Sequence, residues 1–329
     1  MSQRHVMITG ASTHPGGALI KHLRQDPSIG SILVVDHPLV DQQANGPDEL
    51  EKVVRVSVDL TRARDIRNLL NGIVSDLHID TIIHLAHHRG EPKNQVKRRK
   101  LNVEGTRELI NGAENHPTIS KFILKSWMEI YALHSYLPNI IDEHHPLNFS
   151  SKSPAWIQER LEADQVAVDR IGSTKLKMVV LRCSDCLCAH AGSQLFNFLK
   201  SPVCFRPMGF DPMVNVLSLQ DLLEAIKLAV LSNKKGVYTI PGLDTLPLSQ
   251  VIKKVNRKSV PIPGPIIYGF DHLMDSLKMG GFSYNLNYRR FHFSGVLNGG
   301  NAAKNLGYCP QHPIDWDALA SQLSCQTSR

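Results

Sequence analysis

The chain has 329 residues, of which 42% are hydrophobic and 20% are charged, a composition that excludes a disordered or collagen-like protein. At about 150 residues per domain, this length predicts two domains, or one large α/β unit with an annex. The net charge of +7 arises from 37 basic and 30 acidic residues dispersed along the chain, so it does not predict a nucleic-acid-binding protein.

Short β-branched runs alternate with amphipathic helical stretches through the first part of the chain. Strands are predicted at residues 5–8, 31–35, 53–58, 81–85, 121–125 and 177–181. Helices are predicted at residues 16–25, 63–73, 95–115 and 154–171. Strands separated by helices form βαβ units, so we expect a parallel sheet with right-handed crossovers and helices on both faces. A further helix at 219–231 and a strand at 236–240 predict a return of the chain to this sheet.

The first predicted strand leads through the segment TGASTHPGG, residues 9–17, into the first helix. This is the context of a phosphate-binding turn, in which three glycines allow the tight turn, the approach of a pyrophosphate and the packing of helix on strand. Gly10 and Gly16 occupy the first and third positions. Thr13 occupies the middle position, where its Cβ and hydroxyl are expected to crowd a phosphate bound at the helix N-terminus.

Asp36 ends the second predicted strand. A carboxylate at this point accepts hydrogen bonds from the hydroxyls of an adenosine ribose and repels a 2′-phosphate. The sequence therefore predicts NAD, rather than NADP, as the cofactor, with its binding weakened by Thr13. The open alternative is a tight turn between strand and helix that holds no ligand.

The predicted fold class is α/β, with a Rossmann-type doubly wound parallel sheet and a smaller C-terminal substrate lobe. Residues 1–182 form the predicted NAD-binding domain, and residues 214–240 return to it. Residues 183–213 and 241–329, which are punctuated by turn residues, form the predicted substrate-binding lobe.

Cysteine content and hydropathy predict the compartment. Six cysteines in this chain do not make a disulfide scaffold. The N-terminus enters a strand-like run at once, without the apolar core of a signal peptide. No uninterrupted apolar run reaches the roughly 18 residues of a membrane-spanning helix. We therefore expect a cytoplasmic protein with no membrane span.

At this point the sequence resembles the extended short-chain dehydrogenase/reductase family, the NAD-dependent epimerase/dehydratase group. The segments that carry the resemblance stand in the family's order along nearly the whole chain. They are TGAS (9–12) with Gly16, Asp59-Leu60, HLAH (84–87), NVEGT (102–106), Leu181-Arg182, VNVLSLQDL (214–222), GVYTIPG (236–242) and AAKNLGY (302–308).

The resemblance implies a set of cofactor-binding residues and a homodimer built from adjacent helices. The residues implied to bind NAD are Gly10, Ser12, Thr13, Gly16, Asp36, Asp59, Leu60, Leu85, Ala86, His87, Asn102 and Arg160. A small-molecule substrate is implied as well, but its identity is not encoded in these segments.

The family's chemistry uses a tyrosine, a lysine four residues later, and a serine or threonine. Matching IYA (130–132) and the RLEAD segment (160–164) to the family places Trp127 at the serine position, Trp156 at the tyrosine position and Arg160 at the lysine position. None of the seven tyrosines in the chain is followed by lysine four residues later. An indole N–H only donates a hydrogen bond and does not exchange a proton near neutral pH, so this triad cannot perform general acid–base catalysis.

Three hypotheses follow. The leading one is an NAD-binding protein of this fold that lacks the triad and acts as a non-catalytic binding or regulatory module. The rival is an NAD-dependent oxidoreductase, epimerase or dehydratase with a non-standard acid–base residue, for which His87, Asp142 and Glu143 are candidates. The third is a structural partner that binds no nucleotide because Thr13 blocks the pyrophosphate.

Four other segments contain residue types that bind metals or anions. The HLAHH segment (84–88) and the pair His144-His145 lack the spacing of three or four converging zinc ligands, so no metal is predicted. Cys183, Cys186 and Cys188 are interpreted as small buried thiols, not as a redox or metal motif. The basic run at 93–100 is interpreted as a solvated helix face, with attraction of an anionic partner as the alternative.

Overall fold

Seven parallel strands form the main sheet, seen in a computed structural model that describes residues 3–38, 52–87, 95–151, 153–266, 282, 284 and 287–327. The strands are β1 (Arg4–Thr9), β2 (Ile29–Asp36), β3 (Val53–Ser57), β4 (Thr81–His84), β5 (Lys121–Trp127), β7 (Lys177–Cys183) and β11 (Gly236–Ile240). Their order across the sheet is β11-β7-β5-β4-β1-β2-β3. The chain moves outward from β1 in both directions, so the predicted doubly wound sheet is confirmed.

Helices cover both faces of this sheet. They are α1 (His14–Arg24), α2 (Ala63–Leu69), α3 (Gln95–Arg99), α4 (Thr106–Glu114), α5 (Ala155–Val168) and α7 (Leu219–Leu231). Side chains on a strand alternate between faces, so Val6 and Ile8 of β1 pack with α1 and α7, whereas Met7 packs with α2 and α4. Two apolar layers therefore enclose the sheet and fix the carboxyl ends of its strands along one edge.

The remaining elements form a smaller lobe and three small sheets. The elements are β6 (Ile140–Ile141), β8 (Asp185–Cys186), α6 (Gln194–Leu199), β9 (Val203–Pro207), β10 (Met213–Leu217), β12 (Asp244–Pro247), α8 (Leu248–Lys254), β13 (Lys258–Ile262), α9 (Tyr288–His292), β14 (Val296–Leu297), α10 (Gly300–Leu306) and α11 (Trp316–Thr327). β10 pairs with β8 and β12, β9 with β13, and β6 with β14. A third apolar cluster, which includes Phe196, Phe198 and Leu248, forms the core of the lobe.

Two segments do not lie in the domain to which the sequence analysis assigned them. β10 falls within the stretch 214–240 that was expected to return to the main sheet, but it pairs with β8 and β12. Only α7 and β11 of that stretch join the main domain. Conversely, Ala302, Leu306 and Tyr308 of the predicted lobe pack in the core beside the main sheet. These residues follow the lobe in the sequence, but they join the main domain because burial of their apolar side chains beside β11 is favourable.

Within the residues that the structure describes, no helix is both long enough and apolar enough to cross a membrane.

Candidate functional site

The glycine-rich turn joins β1 to α1 at the carboxyl edge of the sheet. Gly10 has a φ of +75°, a left-handed conformation that favours glycine. A Cβ at Gly10 would lie 2.6 Å from Cα of Ala86, and one at Gly16 would lie 2.5 Å from Cα of Ala11. Both glycines are therefore required by close backbone packing, and Leu85 and Ala86 border the turn as the HLAH segment predicts.

Thr13 takes part in the turn itself. It is the N-cap of α1, its hydroxyl donates to the carbonyl of Gly10 at 2.9 Å, and it accepts from the N–H of Gly16 at 3.3 Å. Pro15 has no N–H to offer. The first helical turn consequently presents fewer free N–H groups than a glycine-rich turn with glycine at the middle position.

Asp36 lies at the end of β2, next to the turn. Its Oδ1 accepts from the backbone N–H of Ser12 at 2.9 Å, and its side chain is half-buried. This arrangement holds a carboxylate where an adenosine ribose is expected. The two glycines, Asp36 and Ser12 thus fit the adenosine half of a dinucleotide.

Asp59 and Leu60 follow β3 along the same edge. Asp59 Oδ1 accepts from the backbone N–H and from the hydroxyl of Thr61, at 2.9 and 2.7 Å. Burial acts to raise the pKa of Asp59, but the hydrogen bonds from Thr61, together with His37 and Arg62 nearby, lower it overall. Leu60 is buried. Asp59 therefore stays ionised in a fixed orientation.

A chain of hydrogen bonds runs through the buried imidazole of His84. Thr106 donates its hydroxyl to the carbonyl of Asn102 at 2.8 Å, so it must accept from Nε2–H of His84, 2.9 Å away. Nδ1 then accepts from the hydroxyl of Thr9 at 2.7 Å, and the N–H of Ala86 donates to that hydroxyl at 3.3 Å. Burial lowers the pKa of His84 to about 4. This histidine is a neutral structural link.

Trp127, Trp156 and Arg160 converge at the other end of the cleft. The guanidinium carbon of Arg160 lies 4.3 Å from the ring centroid of Trp127 and 4.8 Å from that of Trp156. Positions 156 and 160 are one helical turn apart on α5, and Trp127 ends β5, so the two elements bring these side chains together. Arg160 is 2% exposed and Trp127 is 8% exposed.

Polar contacts fix the guanidinium of Arg160. Nη2 donates to the carbonyl of Gly192 at 3.0 Å and lies 3.5 Å from Nε2 of His87. Nη1 lies 3.2 Å from Oε1 of Glu129. The imidazole of His87 also packs on Trp127, with ring centroids 4.5 Å apart. His87 therefore faces the arginine and the indole.

Glu129 extends these contacts into the smaller lobe. Its Oε1 lies 3.7 Å from Nη1 of Arg290, and Arg290 also pairs with Asp185. Glu129 and Asp185 are buried. A run of alternating charges, Arg160, Glu129, Arg290 and Asp185, thereby ties the lobe to the end of β5. A buried charge that loses its partner is strongly disfavoured, so this network fixes the smaller lobe against the end of β5.

Lys125 is a buried cation that the sequence analysis did not single out. Its Nζ lies 4.1 Å from the ring centroid of Trp127 and donates to the carbonyl of Ala191 at 3.3 Å. Burial lowers the pKa of Lys125 to about 8. Residues two apart on a strand share a face, so the position of Lys125 beside Trp127 was implicit in the run KSW. No comparable local pattern in the sequence indicated that Glu129 and Arg290 contact each other.

Little space is left in the cleft. It runs from Thr13 and Pro15 past Leu85 to His87 and Trp127, and about 40 Å³ of it admits solvent. That is room for roughly three water molecules. The side chains of His87, Lys125 and Trp127 border this small space.

Two of the three rival acid–base candidates, Asp142 and Glu143, lie outside this cleft, whereas His87 borders it. Glu143 accepts from the N–H and the hydroxyl of Thr239, at 2.7 and 2.8 Å, and so satisfies the edge strand β11. Asp142 is exposed and accepts from the N–H of His144 at 3.0 Å. Tyr131 is buried and accepts from Arg182 at 3.1 Å. Burial raises the pKa of Tyr131 to about 12.

Two arginines of the basic run, Arg98 and Arg99, pair with carboxylates of α5. Arg98 donates to both carboxylate oxygens of Glu159, at 2.7 and 2.9 Å. Arg99 donates to both oxygens of Glu162, at 2.6 and 2.9 Å. The amide of Asn102 also donates to Glu159, at 3.3 Å. These contacts attach α3 to α5 and give the run a structural role, which differs from a purely solvated face.

No three His, Cys, Asp or Glu side chains converge as metal ligands anywhere in the described ranges. His88 and residues 93–94 lie outside them.

Comparison with known proteins gives a family and two groups of similar proteins. A model of the NAD-dependent epimerase/dehydratase family matches residues 6–198. Uncharacterized proteins of Mycobacterium tuberculosis and Mycobacterium bovis are each 26% identical over 318 residues, which span 93% of this chain and 80% of theirs. The chain therefore belongs to the NAD-dependent epimerase/dehydratase family.

Solved structures share the fold over nearly the whole chain. The enzyme WbmG of Bordetella bronchiseptica in complex with NAD has a TM-score of 0.71 at 16% identity, covering 98% of this chain and 94% of its own. The dTDP-glucose 4,6-dehydratase of Bacillus anthracis with NAD has a TM-score of 0.71 at 15% identity, with 98% and 96% coverage. A UDP-N-acetylglucosamine 4-epimerase of Methanobrevibacter ruminantium has a TM-score of 0.71 at 14% identity, with 100% and 99% coverage.

Proposed function

We propose that this member of the NAD-dependent epimerase/dehydratase family is a non-catalytic NAD-binding module, which serves a binding or regulatory role. It would hold the cofactor mainly through the adenosine half. The observation that carries the proposal is the position of Arg160, stacked on Trp127 and Trp156, where the family resemblance expects the groups that exchange a proton with substrate.

The adenosine half of the cleft supports NAD binding. Gly10 and Gly16 permit the tight turn, and Asp36 presents a carboxylate beside the N–H of Ser12. An adenosine ribose offers hydroxyls that such a carboxylate accepts, whereas a 2′-phosphate would be repelled. The hydroxyl of Thr13 occupies the N–H of Gly16, so we expect weaker pyrophosphate binding than a glycine at this position would give.

The opposite half of the cleft supports the absence of turnover. NAD supplies a hydride acceptor when bound, but the reaction also needs a side chain that moves a proton near neutral pH. Trp127 and Trp156 have no proton to exchange in this range. Arg160 is held by Glu129 and Gly192, and its guanidinium stays protonated.

The second candidate function is an enzyme that uses His87. One observation favours it: the imidazole of His87 borders the cleft between Leu85 and Trp127. An imidazole is suited to proton transfer. Against it, Nε2 of His87 is directed at Nη2 of Arg160.

The test is to measure binding and turnover on the same preparation. Titration calorimetry with NAD and NADH would be followed by assays with sugar nucleotides, with NADH formation and epimer or dehydrated product as readouts. We expect binding without turnover. Turnover that is lost in His87→Ala, with an unchanged affinity for NAD, would support the enzyme instead. Absence of binding to either dinucleotide would support a structural partner.

We also propose that the chain forms a homodimer. Its support is the family resemblance, in which adjacent helices pair about a two-fold axis. Sedimentation equilibrium on the purified chain would give twice the mass of 36.7 kDa for a dimer.

A further inference from the structure

Cys186 and Cys188 form a close pair of thiols at the point where the chain leaves β8. Their sulfur atoms lie 3.7 Å apart, and both side chains are buried. In an extended strand, Cα atoms two residues apart are about 6.6 Å from one another, near the upper limit for a disulfide. The N–H of Cys188 instead donates to the carbonyl of Cys186 at 2.9 Å. This contact closes a γ-turn and brings the two residues closer together.

The surroundings of the pair favour one thiolate. Cys188 is hydrogen-bonded by the thiol of Cys186, which contributes most to lowering its pKa, and by the imidazole of His14. Lys125 adds a nearby positive charge. The same sulfur–sulfur hydrogen bond raises the pKa of Cys186. His14 and Lys125 therefore favour the thiolate on Cys188 and the proton on Cys186.

The sulfur of Cys188 is buried but lies close to the protein surface. Its hydrogen-bond partner His14 is the first residue of α1 and is exposed, so the sulfur lies one side chain below the surface. Cys183 and Cys204 differ. Burial raises the pKa of each of these thiols to about 12, which makes them poor nucleophiles.

We propose that Cys186 and Cys188 are an oxidation site, which a hydroperoxide converts to a disulfide within a single turn. The proposal rests on the sulfur separation and on the γ-turn, and it is independent of nucleotide binding. It assigns the nucleophile to Cys188 and the resolving thiol to Cys186. It adds a redox role to two thiols that are buried, as the sequence analysis expected.

The reaction has two balanced steps. The thiolate of Cys188 attacks one oxygen of hydrogen peroxide, the O–O bond breaks, and the products are Cys188 sulfenic acid and hydroxide. The thiol of Cys186 then attacks that sulfur, an S–S bond forms, and its proton leaves with the hydroxyl as water. A disulfide requires about 2.0 Å between the sulfurs, so they must approach by about 1.7 Å. A ring this short is strained, and strained disulfides are readily reduced.

The experiment uses the full chain with Cys309→Ser and Cys325→Ser, which leaves Cys183, Cys186, Cys188 and Cys204. Reduced protein is exposed to graded hydrogen peroxide, unfolded in an alkylating reagent and mapped by mass spectrometry. We expect Cys186 and Cys188 to lose alkylation together, at least tenfold faster than Cys204, with formation of a linked peptide. Dithiothreitol should restore both thiols.

Single variants assign the two roles. In Cys186→Ser, the sulfenic acid of Cys188 should persist and be trapped by dimedone. In Cys188→Ser, Cys186 should resist oxidation as Cys204 does, while Cys204→Ser is the matched buried control with unchanged oxidation of the pair. Equal oxidation rates for all four thiols of the chain with Cys309→Ser and Cys325→Ser would overturn the proposal. So would rapid oxidation of Cys186 in a folded Cys188→Ser chain. The first of these results does not depend on whether the single variants fold.

Discussion

The guanidinium of Arg160 lies 4.3 Å from the ring centroid of Trp127, on the border of the cleft that begins at the glycine-rich turn. A cation over an aromatic ring gains about 2 kcal/mol when both are removed from water. Glu129 completes the charge balance on the other side of the guanidinium. The stack and the ion pair therefore fix Arg160 at the place where the family resemblance expects acid–base chemistry.

The carboxylate of Asp36 leads to a prediction about cofactor preference. We expect NADH to bind at least tenfold, or about 1.4 kcal/mol, more tightly than NADPH, because Asp36 opposes a 2′-phosphate. Asp36→Asn should narrow the difference, since it removes the charge but keeps the hydrogen-bonding shape. Titration calorimetry measures both affinities, with the exposed Asp317→Asn as the control. Equal or stronger binding of NADPH to the unaltered chain contradicts the assignment.

Thr13 gives a prediction about the turn. Thr13→Gly should strengthen NAD binding, because it removes the Cβ and frees the N–H of Gly16. Its cost in the free energy of unfolding should be only a few tenths of a kcal/mol, as glycine is an acceptable N-cap. Thr13→Ser keeps the hydroxyl cap and should bind NAD as the unaltered chain does. Unchanged affinity in Thr13→Gly would mean that the loop has adapted to threonine.

Sequence patterns predicted the main domain because its signals are local. The helix Leu219–Leu231 and the strand Gly236–Ile240 have the predicted bounds, since apolar periodicity and turn residues mark both ends. The spacing of Trp156 and Arg160 is also local, since they lie one helical turn apart on α5, whereas only the family resemblance grouped Trp127 of β5 with them. The element bounds and this spacing need no information from distant parts of the chain.

Long-range contacts could not be predicted in this way. Glu129 meets Arg290 only after the lobe folds back on the main sheet, and no local pattern encodes that pairing. Glu143 resembled a catalytic acid by residue type, but the unpaired edge of β11 makes it an acceptor for Thr239. Residues 214–217 were grouped with the main domain because they precede α7, but they form part of β10, which pairs with β8 and β12.

His84 predicts how stability depends on pH. The folded protein protonates His84 near pH 4, whereas an unfolded chain does so near pH 6.5. The unfolded state binds more protons between these values, so stability falls as the pH drops from 6.5 to 4, by about 3 kcal/mol from this group. Urea unfolding should show a shallower pH dependence in His84→Gln than in the exposed control His144→Gln. Identical pH dependence in the two variants would contradict this role.

Restoring the family's side chains should create activity. The triple variant Trp127→Ser, Trp156→Tyr, Arg160→Lys would supply a phenol and a lysine one helical turn apart on α5. General acid–base groups contribute about 10² to 10⁴-fold in rate, so we expect measurable NADH formation with sugar nucleotides above a silent parent chain. Trp127→Ser alone is the matched control and should stay silent. Ordinary enzyme rates in the parent chain would contradict the loss of catalysis.

The most direct test compares the affinities of NAD and ADP-ribose for the unaltered chain. ADP-ribose keeps the adenosine, pyrophosphate and second ribose but lacks the nicotinamide. If Arg160, Trp127 and His87 fill the nicotinamide end of the cleft, the two ligands should bind with affinities within about threefold, or 0.7 kcal/mol, of each other. Binding of NAD more than tenfold tighter than ADP-ribose would show that the nicotinamide has a formed site, and would contradict the account.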